Sequence, residues 1–123
     1  MKKIIIFLFL FNFSNLYSSN IKFEKIFDDL NKPWSLTFID KENIIITEKK
    51  GKLLTFNLKN KNVHEIKHNL SIISSGQGGL LDVLYDKGQA YVSYSENRGN
   101  WKSSTSVAKG NFHKKEIKFK NIF

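Results

Sequence analysis

Residues 80–95, LLDVLYDKGQAYVSYS, decide the fold class because they hold two apolar runs on either side of a polar turn. The runs LLDVLY (80–85) and AYVSYS (90–95) have the length and the aromatic and branched residues typical of β-strands. Asp86 and Lys87 lie in the turn between them. The stretch therefore predicts an antiparallel hairpin.

The rest of the chain carries further strand signals and no helical periodicity. FEKIF (23–27) alternates apolar and charged residues as a half-buried strand does, and Gly51 can adopt the positive φ that tight hairpins need. Two meanders of four short strands follow. The first comprises SLTFI (35–39), IIIT (44–47), KLLTFNL (52–58) and VHEIK (63–67), and the second comprises LLDVLY, AYVSYS, STSVAKGNF (104–112) and EIKFKNIF (116–123).

The two meanders are copies of one pattern. Asp40-Lys41 and Asp86-Lys87 are 46 residues apart, and this offset aligns Phe38 with Leu84, Ile39 with Tyr85, Ile45 with Tyr91, Ile46 with Val92 and Thr47 with Ser93. A four-stranded repeat of this length predicts an all-β protein of the β-propeller class, although regular strand spacing also fits a β-sandwich or unrelated meanders. Because propellers close with about four to eight blades, we expect this chain to cover about the first two. We also expect it to be truncated and to fold poorly alone.

The N-terminus predicts a signal peptide over residues 1–19 and a domain over residues 20–123. Lys2 and Lys3 precede the apolar run Ile4 to Leu10, and Ser18 and Ser19 offer a cleavage site. The run is shorter than the roughly 20 residues that cross a bilayer, and the chain has no cysteine for a lipid anchor or a disulfide. We therefore expect a periplasmic or secreted protein without a stable membrane anchor.

The net charge of +9 does not point to nucleic acid. Arg98 is the single arginine, whereas base and phosphate recognition favours arginine side chains. The lysines are scattered, with acidic residues between many of them. The charge therefore indicates a solvated surface.

Five sequence elements, in order and at plausible spacing, carry a resemblance to a known family. They are KPWSLTFI (32–39), IIITEKKGKL (44–53), SGQGGLLDV (75–83), YVSYSE (91–96) and TSVAKG (105–110). The series resembles the glucose/sorbosone dehydrogenase family, the soluble aldose sugar dehydrogenases that use pyrroloquinoline quinone. The resemblance covers the chain from about Phe23 onward.

The resemblance implies a six-bladed propeller whose central mouth holds the quinone above a calcium ion. The family's glutamine in the G-Q-x-G-L-L-D element contacts cofactor or substrate, and the matching position here is Gln77. A side-chain amide suits a cofactor with carbonyl and carboxylate groups because it both donates and accepts hydrogen bonds. The neighbouring Gly76, Gly78 and Gly79 allow close approach. Without the resemblance, an ordinary glycine-rich loop with a solvated glutamine is the simpler interpretation.

The same resemblance implies which reaction the family catalyses and which of its functional residues this chain lacks. The family oxidises an aldose at the anomeric carbon, with hydride transfer to the quinone and electrons passed to an acceptor that the sequence does not identify. Its histidine general base lies in a His-Phe-Gly context that this chain lacks, so we expect no catalytic residue here and an inactive fragment. The remaining cofactor ligands are expected beyond Phe123. A non-catalytic propeller that binds carbohydrate or protein is the alternative.

Several other side chains have weaker functional readings. A calcium-dependent lactonase-type hydrolase would need Glu48, Asp82 and Glu96 to converge on a metal. Asp82 is expected instead to anchor a turn or a strand end, and Tyr94 and Glu96 to be structural. Trp34 is expected in a core between blades, with Trp101 as a possible cavity wall. The three histidines fit no metal-ligand spacing and are expected to be exposed: His64, His68 and His113.

Overall fold

The computed structural model describes residues 20–123, so the predicted signal peptide, residues 1–19, lies outside the described residues. These residues form two β-sheets. The first contains β1 (Pro33–Phe38), β2 (Asn43–Glu48), β3 (Leu53–Asn57), β4 (Val63–His68) and β8 (Glu116–Ile117) in that order, and the second contains β5 (Leu80–Asp86), β6 (Gln89–Asn97), β7 (Ser103–Asn111) and β9 (Lys120–Asn121). Within residues 20–123 there is no helix long and apolar enough to cross a membrane.

Short polar turns connect the antiparallel strands of each sheet. Between β1 and β2, the Asp40 carboxylate accepts hydrogen bonds from the backbone N–H groups of Glu42 and Asn43, each at 2.8 Å. These bonds lower the pKa of Asp40 below its usual value. Between β2 and β3, Gly51 has a φ of 106°, a conformation that favours glycine. Turn chemistry therefore fixes the first meander where the sequence predicted it.

The main hydrophobic core lies between the two sheets. Alternate residues of each strand point to one face, so Ile45, Leu53 and Ile66 of the first sheet meet Val92 and Ala108 of the second, together with Leu80, Val83, Ala90, Tyr94, Ile117 and Phe119. A second cluster covers the opposite face of the first sheet and contains Ile44, Ile46, Leu54 and Phe56.

A line of hydrogen bonds joins the sheets where β1 and β2 meet β5. The Thr47 hydroxyl donates to the carbonyl oxygen of Leu81 at 2.6 Å, and the Ser35 hydroxyl donates to the Asp82 carboxylate. The pairing of β5 with β6 shifts register between Leu80 and Val83. This irregularity places both acceptors toward the first sheet. We call these two hydrogen bonds between the sheets the seam.

Two strand predictions are wrong. FEKIF forms no strand among the described residues; its Phe27 instead packs on Phe56, with ring centroids 5.1 Å apart. EIKFKNIF is divided, because its first part pairs with β4 and its second part with β7. At the break the Asn69 side chain accepts from the Phe119 N–H at 2.7 Å and donates to the Phe119 carbonyl at 3.0 Å. Asn69 thus replaces a strand partner at Phe119.

The repeat is present, but the single offset of 46 residues is wrong for the first strand of each meander, β1 and β5. Ile46 pairs with Leu36, and Val92 pairs with Val83, so Leu36 corresponds to Val83 at an offset of one residue more. The first hairpin connects Phe38 to Ile44, whereas the second closes tightly at Asp86 and Gln89. A shift of one residue exchanges the two faces of a strand. Phe38 is therefore equivalent to Tyr85, not Leu84.

Removing a methyl-rich side chain from the core between the sheets should destabilise the protein strongly. Ile45 has 0% of its surface exposed, whereas Ile21 is 78% exposed. We expect Ile45→Ala to lower the free energy of unfolding by about 2 to 5 kcal/mol through lost burial and a cavity. Ile21→Ala should change it by less than about 0.5 kcal/mol. Urea denaturation followed by circular dichroism measures both, and equal effects would contradict this placement of the core.

Candidate functional site

The glycine-rich loop between β4 and β5 presents Gln77 to solvent on an ordered turn. The Gly78 N–H donates to the carbonyl oxygen of Ser75 at 2.7 Å, which closes a turn with Gly76 and Gln77 at its centre. Gly76 has a φ of 53°, and the Gln77 side chain is exposed. The turn therefore holds the amide free for a ligand while its backbone is fixed.

The loop is tied to the first sheet through Lys49. The Lys49 ammonium group donates to the carbonyl oxygen of Gly76, and the Leu80 N–H donates to the Lys49 carbonyl oxygen at 3.0 Å. Gly79 lies against the same segment, because a Cβ atom there would be 2.3 Å from the Lys49 carbonyl oxygen. Both sheets thus position Gln77.

The close approach at Gly79 gives a test of this loop. Gly79 has a φ of 153° and Gly88 a φ of 83°, but a Cβ at Gly88 would meet nothing within 4 Å. We expect Gly88→Ala to cost about 1 kcal/mol from backbone conformation alone. Gly79→Ala should cost more, at least about 2 kcal/mol, because backbone strain and steric overlap add. Thermal denaturation compares the variants, and a smaller loss for Gly79→Ala would refute the packing.

A polar network crosses the second sheet near the same end. The Glu96 carboxylate accepts from the Ser106 hydroxyl at 2.7 Å and lies 2.9 Å from an Arg98 guanidinium nitrogen. It also accepts from Asn121 at 3.1 Å, and Asn121 accepts from the Tyr94 hydroxyl at 2.8 Å. The structure thus places Tyr94 and Glu96 in structural roles, as predicted.

Tyr94 should make stability depend on pH in the alkaline range. Burial, together with the nearby Glu96 carboxylate, raises the pKa of the Tyr94 phenol above its usual value of 10.0, although the bond to Asn121 opposes this. Because the folded chain holds this proton more tightly than the unfolded chain, stability should fall as the pH rises past about 10. Tyr94→Phe should reduce that loss. Melting temperatures at pH 9 to 11 test this, and parallel curves for both proteins would contradict it.

The carboxylates required by the lactonase alternative do not converge. Glu48 is buried and accepts the Asn31 N–H at 2.7 Å. Asp82 bonds to Ser35 across the seam and to the Val83 N–H at 2.9 Å, which confirms its predicted anchoring role. Among residues 20–123, no group of three or more His, Cys, Asp and Glu side chains is placed to hold a metal ion.

Trp34 does not lie in the core between the two described sheets, because it is 48% exposed on the face of the first sheet that points away from the second, with its neighbour Ser35 in the seam position. The prediction that all three histidines are exposed is wrong for one of them. His68 is half-buried; its Nε2 atom lies 2.7 Å from the Gly51 carbonyl oxygen, and its Nδ1 atom accepts the Leu70 N–H at 3.3 Å. His64 and His113 are exposed, as predicted.

A groove of about 730 Å³ begins beside the Gln77 turn and ends at the hairpin between β6 and β7. Ser75 and Gly78 border it at one end and Trp101 at the other. Trp101 was predicted as a possible cavity wall, and the structure confirms that position. The residues between them were missed: Ser95, Asn97 and Ser103. Strand alternation could have grouped them, since they share one face of the second sheet.

The sequence matches the family "Glucose / Sorbosone dehydrogenase" over residues 30–123. The chain belongs to the glucose/sorbosone dehydrogenase family. No curated protein matches it with significant sequence similarity. The predicted resemblance is therefore confirmed for most of the domain.

Solved structures share this fold. A glucose dehydrogenase is 29% identical with a TM-score of 0.75, and the match covers 81% of this chain and 32% of the glucose dehydrogenase chain. The soluble aldose sugar dehydrogenase of Escherichia coli in its apo form is 27% identical with a TM-score of 0.73, covering 81% and 31%. A third structure, the PQQ-bound aldose sugar dehydrogenase of Streptomyces coelicolor, has a TM-score of 0.70 at 16% identity, covering 81% and 32%, and supports the fold alone.

These matches confirm the β-propeller prediction, and each sheet is a blade. The chain spans about a third of the length of the structures that it matches. This share agrees with the prediction that it covers about two blades. The Gln77 turn and the groove lie at one end of the second blade, on the connections that precede β5 and join β6 to β7.

Proposed function

We propose that this chain supplies the first two blades of a periplasmic or secreted enzyme that uses pyrroloquinoline quinone to oxidise an aldose at its anomeric carbon. The family match over residues 30–123 carries the proposal. The exposed and ordered Gln77 supports it, because the residue lies in the element that resembles the family's cofactor-contacting stretch. Residues 1–19 serve as the signal peptide in this proposal.

The geometry of the Gln77 turn fits one side of a polar, carboxylate-bearing cofactor. The amide can donate to a carbonyl or carboxylate oxygen and accept from a donor on the same ligand. Its backbone is held by the Ser75–Gly78 hydrogen bond and by Lys49. A loop whose backbone is fixed in this way loses less conformational entropy on binding. We propose that Gln77 orients the cofactor.

The bound quinone would supply the redox chemistry by accepting the hydride from the sugar. The blades described here supply orientation, and the proton from the anomeric hydroxyl would pass to a histidine expected beyond Phe123. Calcium is also part of the proposal, with ligands expected in that later part of the enzyme. The electron acceptor remains unassigned.

The proposed role of Gln77 in orienting the cofactor can be tested by measuring cofactor binding rather than turnover. In protein expressed from the complete gene, Gln77→Ala should weaken quinone binding about tenfold, the loss of roughly one hydrogen bond. Gln77→Glu should weaken it further because it places a carboxylate beside the carboxylates of the cofactor. Fluorescence titration with pyrroloquinoline quinone gives the dissociation constants.

The chain's other glutamine provides a matched control. Gln89 lies at the far end of the β5–β6 hairpin, where its amide oxygen accepts from the Tyr91 hydroxyl at 2.9 Å. Gln89→Ala should leave the quinone affinity unchanged. Equal affinities for Gln77→Ala and the unmodified protein would refute the role of Gln77. If quinone-loaded protein with calcium reduced no artificial acceptor with any aldose, the enzyme proposal would fail and a binding propeller would replace it.

A further inference from the structure

The connection from β4 to β5, which carries Gln77, is hydrogen-bonded at both of its ends to one turn. Where the connection begins, the His68 Nε2 atom lies 2.7 Å from the Gly51 carbonyl oxygen. Where it ends, the Leu80 N–H donates to the Lys49 carbonyl oxygen at 3.0 Å. Both acceptors belong to the turn between β2 and β3, so the two ends of the connection share one support.

The turn between β2 and β3 joins these two acceptors closely. The Gly51 N–H donates to the Glu48 carbonyl oxygen at 2.8 Å, and the Glu48 N–H donates to the Lys52 carbonyl oxygen at 2.8 Å. A Cβ atom at Gly51 would lie 3.4 Å from the Ile72 side chain, so the turn also packs against the connection. Because both hydrogen bonds close the turn around Lys49, a shift of the Gly51 carbonyl group would be passed on to the Lys49 carbonyl group.

The two ring nitrogens of His68 have different partners, which together assign the tautomer. The Nδ1 atom accepts the Leu70 N–H at 3.3 Å, so the ring proton lies on Nε2. The Nε2–H group donates to the Gly51 carbonyl oxygen, which can only accept. The ring also packs edge-on against Phe119, with centroids 6.4 Å apart and an angle of 70° between the planes. His68 is therefore a donor toward the turn, in an orientation that its neighbours fix.

We infer that His68 is a positioning residue, which holds the Gln77 loop in place for the cofactor through the turn between β2 and β3. The donated bond fixes the Gly51 carbonyl group, and the same turn presents the Lys49 carbonyl oxygen to the Leu80 N–H. Loss of the donor should loosen the turn and widen the range of positions that the Gln77 amide occupies, which raises the entropic cost of binding. The inference rests on the proposed function, because His68 acts through Gln77.

Two variants of His68, in protein expressed from the complete gene, separate this role from general stability. In His68→Gln the amide nitrogen can replace Nε2 as the donor to Gly51, whereas His68→Asn keeps only an acceptor for the Leu70 N–H. Both variants lose the ring that packs on Phe119, so both should lower the melting temperature alike. Fluorescence titration with pyrroloquinoline quinone should show binding about three- to tenfold weaker for His68→Asn. The affinity of His68→Gln should be nearly that of the unmodified protein.

A control variant and a double variant complete the titration. His113 copies the local bond of His68 at an exposed position, because its Nδ1 atom accepts the Lys115 N–H at 3.4 Å. His113→Asn should leave the quinone affinity unchanged. In a Gln77→Ala background, His68→Asn should cost less than it does alone, since residues that act through one contact are not additive. Additive losses, equal losses for His68→Asn and His68→Gln, or no loss for His68→Asn would overturn the inference.

Hydrogen exchange measures the position of the loop without any ligand. The Leu80 amide proton is bonded to the Lys49 carbonyl oxygen. Mass spectrometry should therefore show faster exchange over residues 75–80 in His68→Asn than in His68→Gln or the unmodified protein. Unchanged exchange would overturn the inference. Faster exchange in a protein that binds no quinone would instead refute the proposed function and leave His68 as the residue that positions the loop.

Discussion

The seam between the two blades is the contact on which the rest of the structure depends. Thr47 and Ser35 donate from the first blade to Leu81 and Asp82 of the second, at the point where β5 departs from regular pairing. Two sheets joined only by apolar side chains could slide, because hydrophobic contact has no direction. Hydrogen bonds to a particular carbonyl and a particular carboxylate fix one register. The buried side chains around Ile45 and Val92 then supply the stabilisation.

The same end of the molecule shows how the backbone of an exposed loop can be placed precisely. Lys49 belongs to the turn after β2, yet its carbonyl oxygen accepts from the Leu80 N–H and its ammonium group donates to the Gly76 carbonyl oxygen. The loop of the second blade is thereby part of the first. Gly79 is required there because a side chain would occupy the position of the Lys49 carbonyl oxygen. Gly79 therefore serves packing between the blades.

Much of the fold could be predicted because its signals are local. Strand composition and turn residues located both meanders, and five short elements in series identified the family. The errors arose where distant residues decide the outcome. FEKIF has the alternation of a strand, but among the described residues no strand pairs with it, and its Phe27 packs on Phe56 of β3 instead. EIKFKNIF alternates polar and apolar residues like a single strand at its start, but Asn69, 50 residues earlier, satisfies both backbone groups of Phe119 and divides the strand.

The site could be predicted only in part, for a related reason. Gln77 was predicted as a site residue because its neighbours in sequence form a family element, whereas the groove beside it is assembled from strand ends that are adjacent only after pairing. Ser95 and Ser103 share a face because β6 and β7 pair with Glu96 opposite Ser104. The sequence offered Trp101 as a possible cavity wall, but it did not reveal the left-handed backbone of that residue, because the letters do not encode backbone conformation. A residue-by-residue search proposes single side chains such as Gln77, while a groove assembled from several strands emerges only when register and backbone geometry are known.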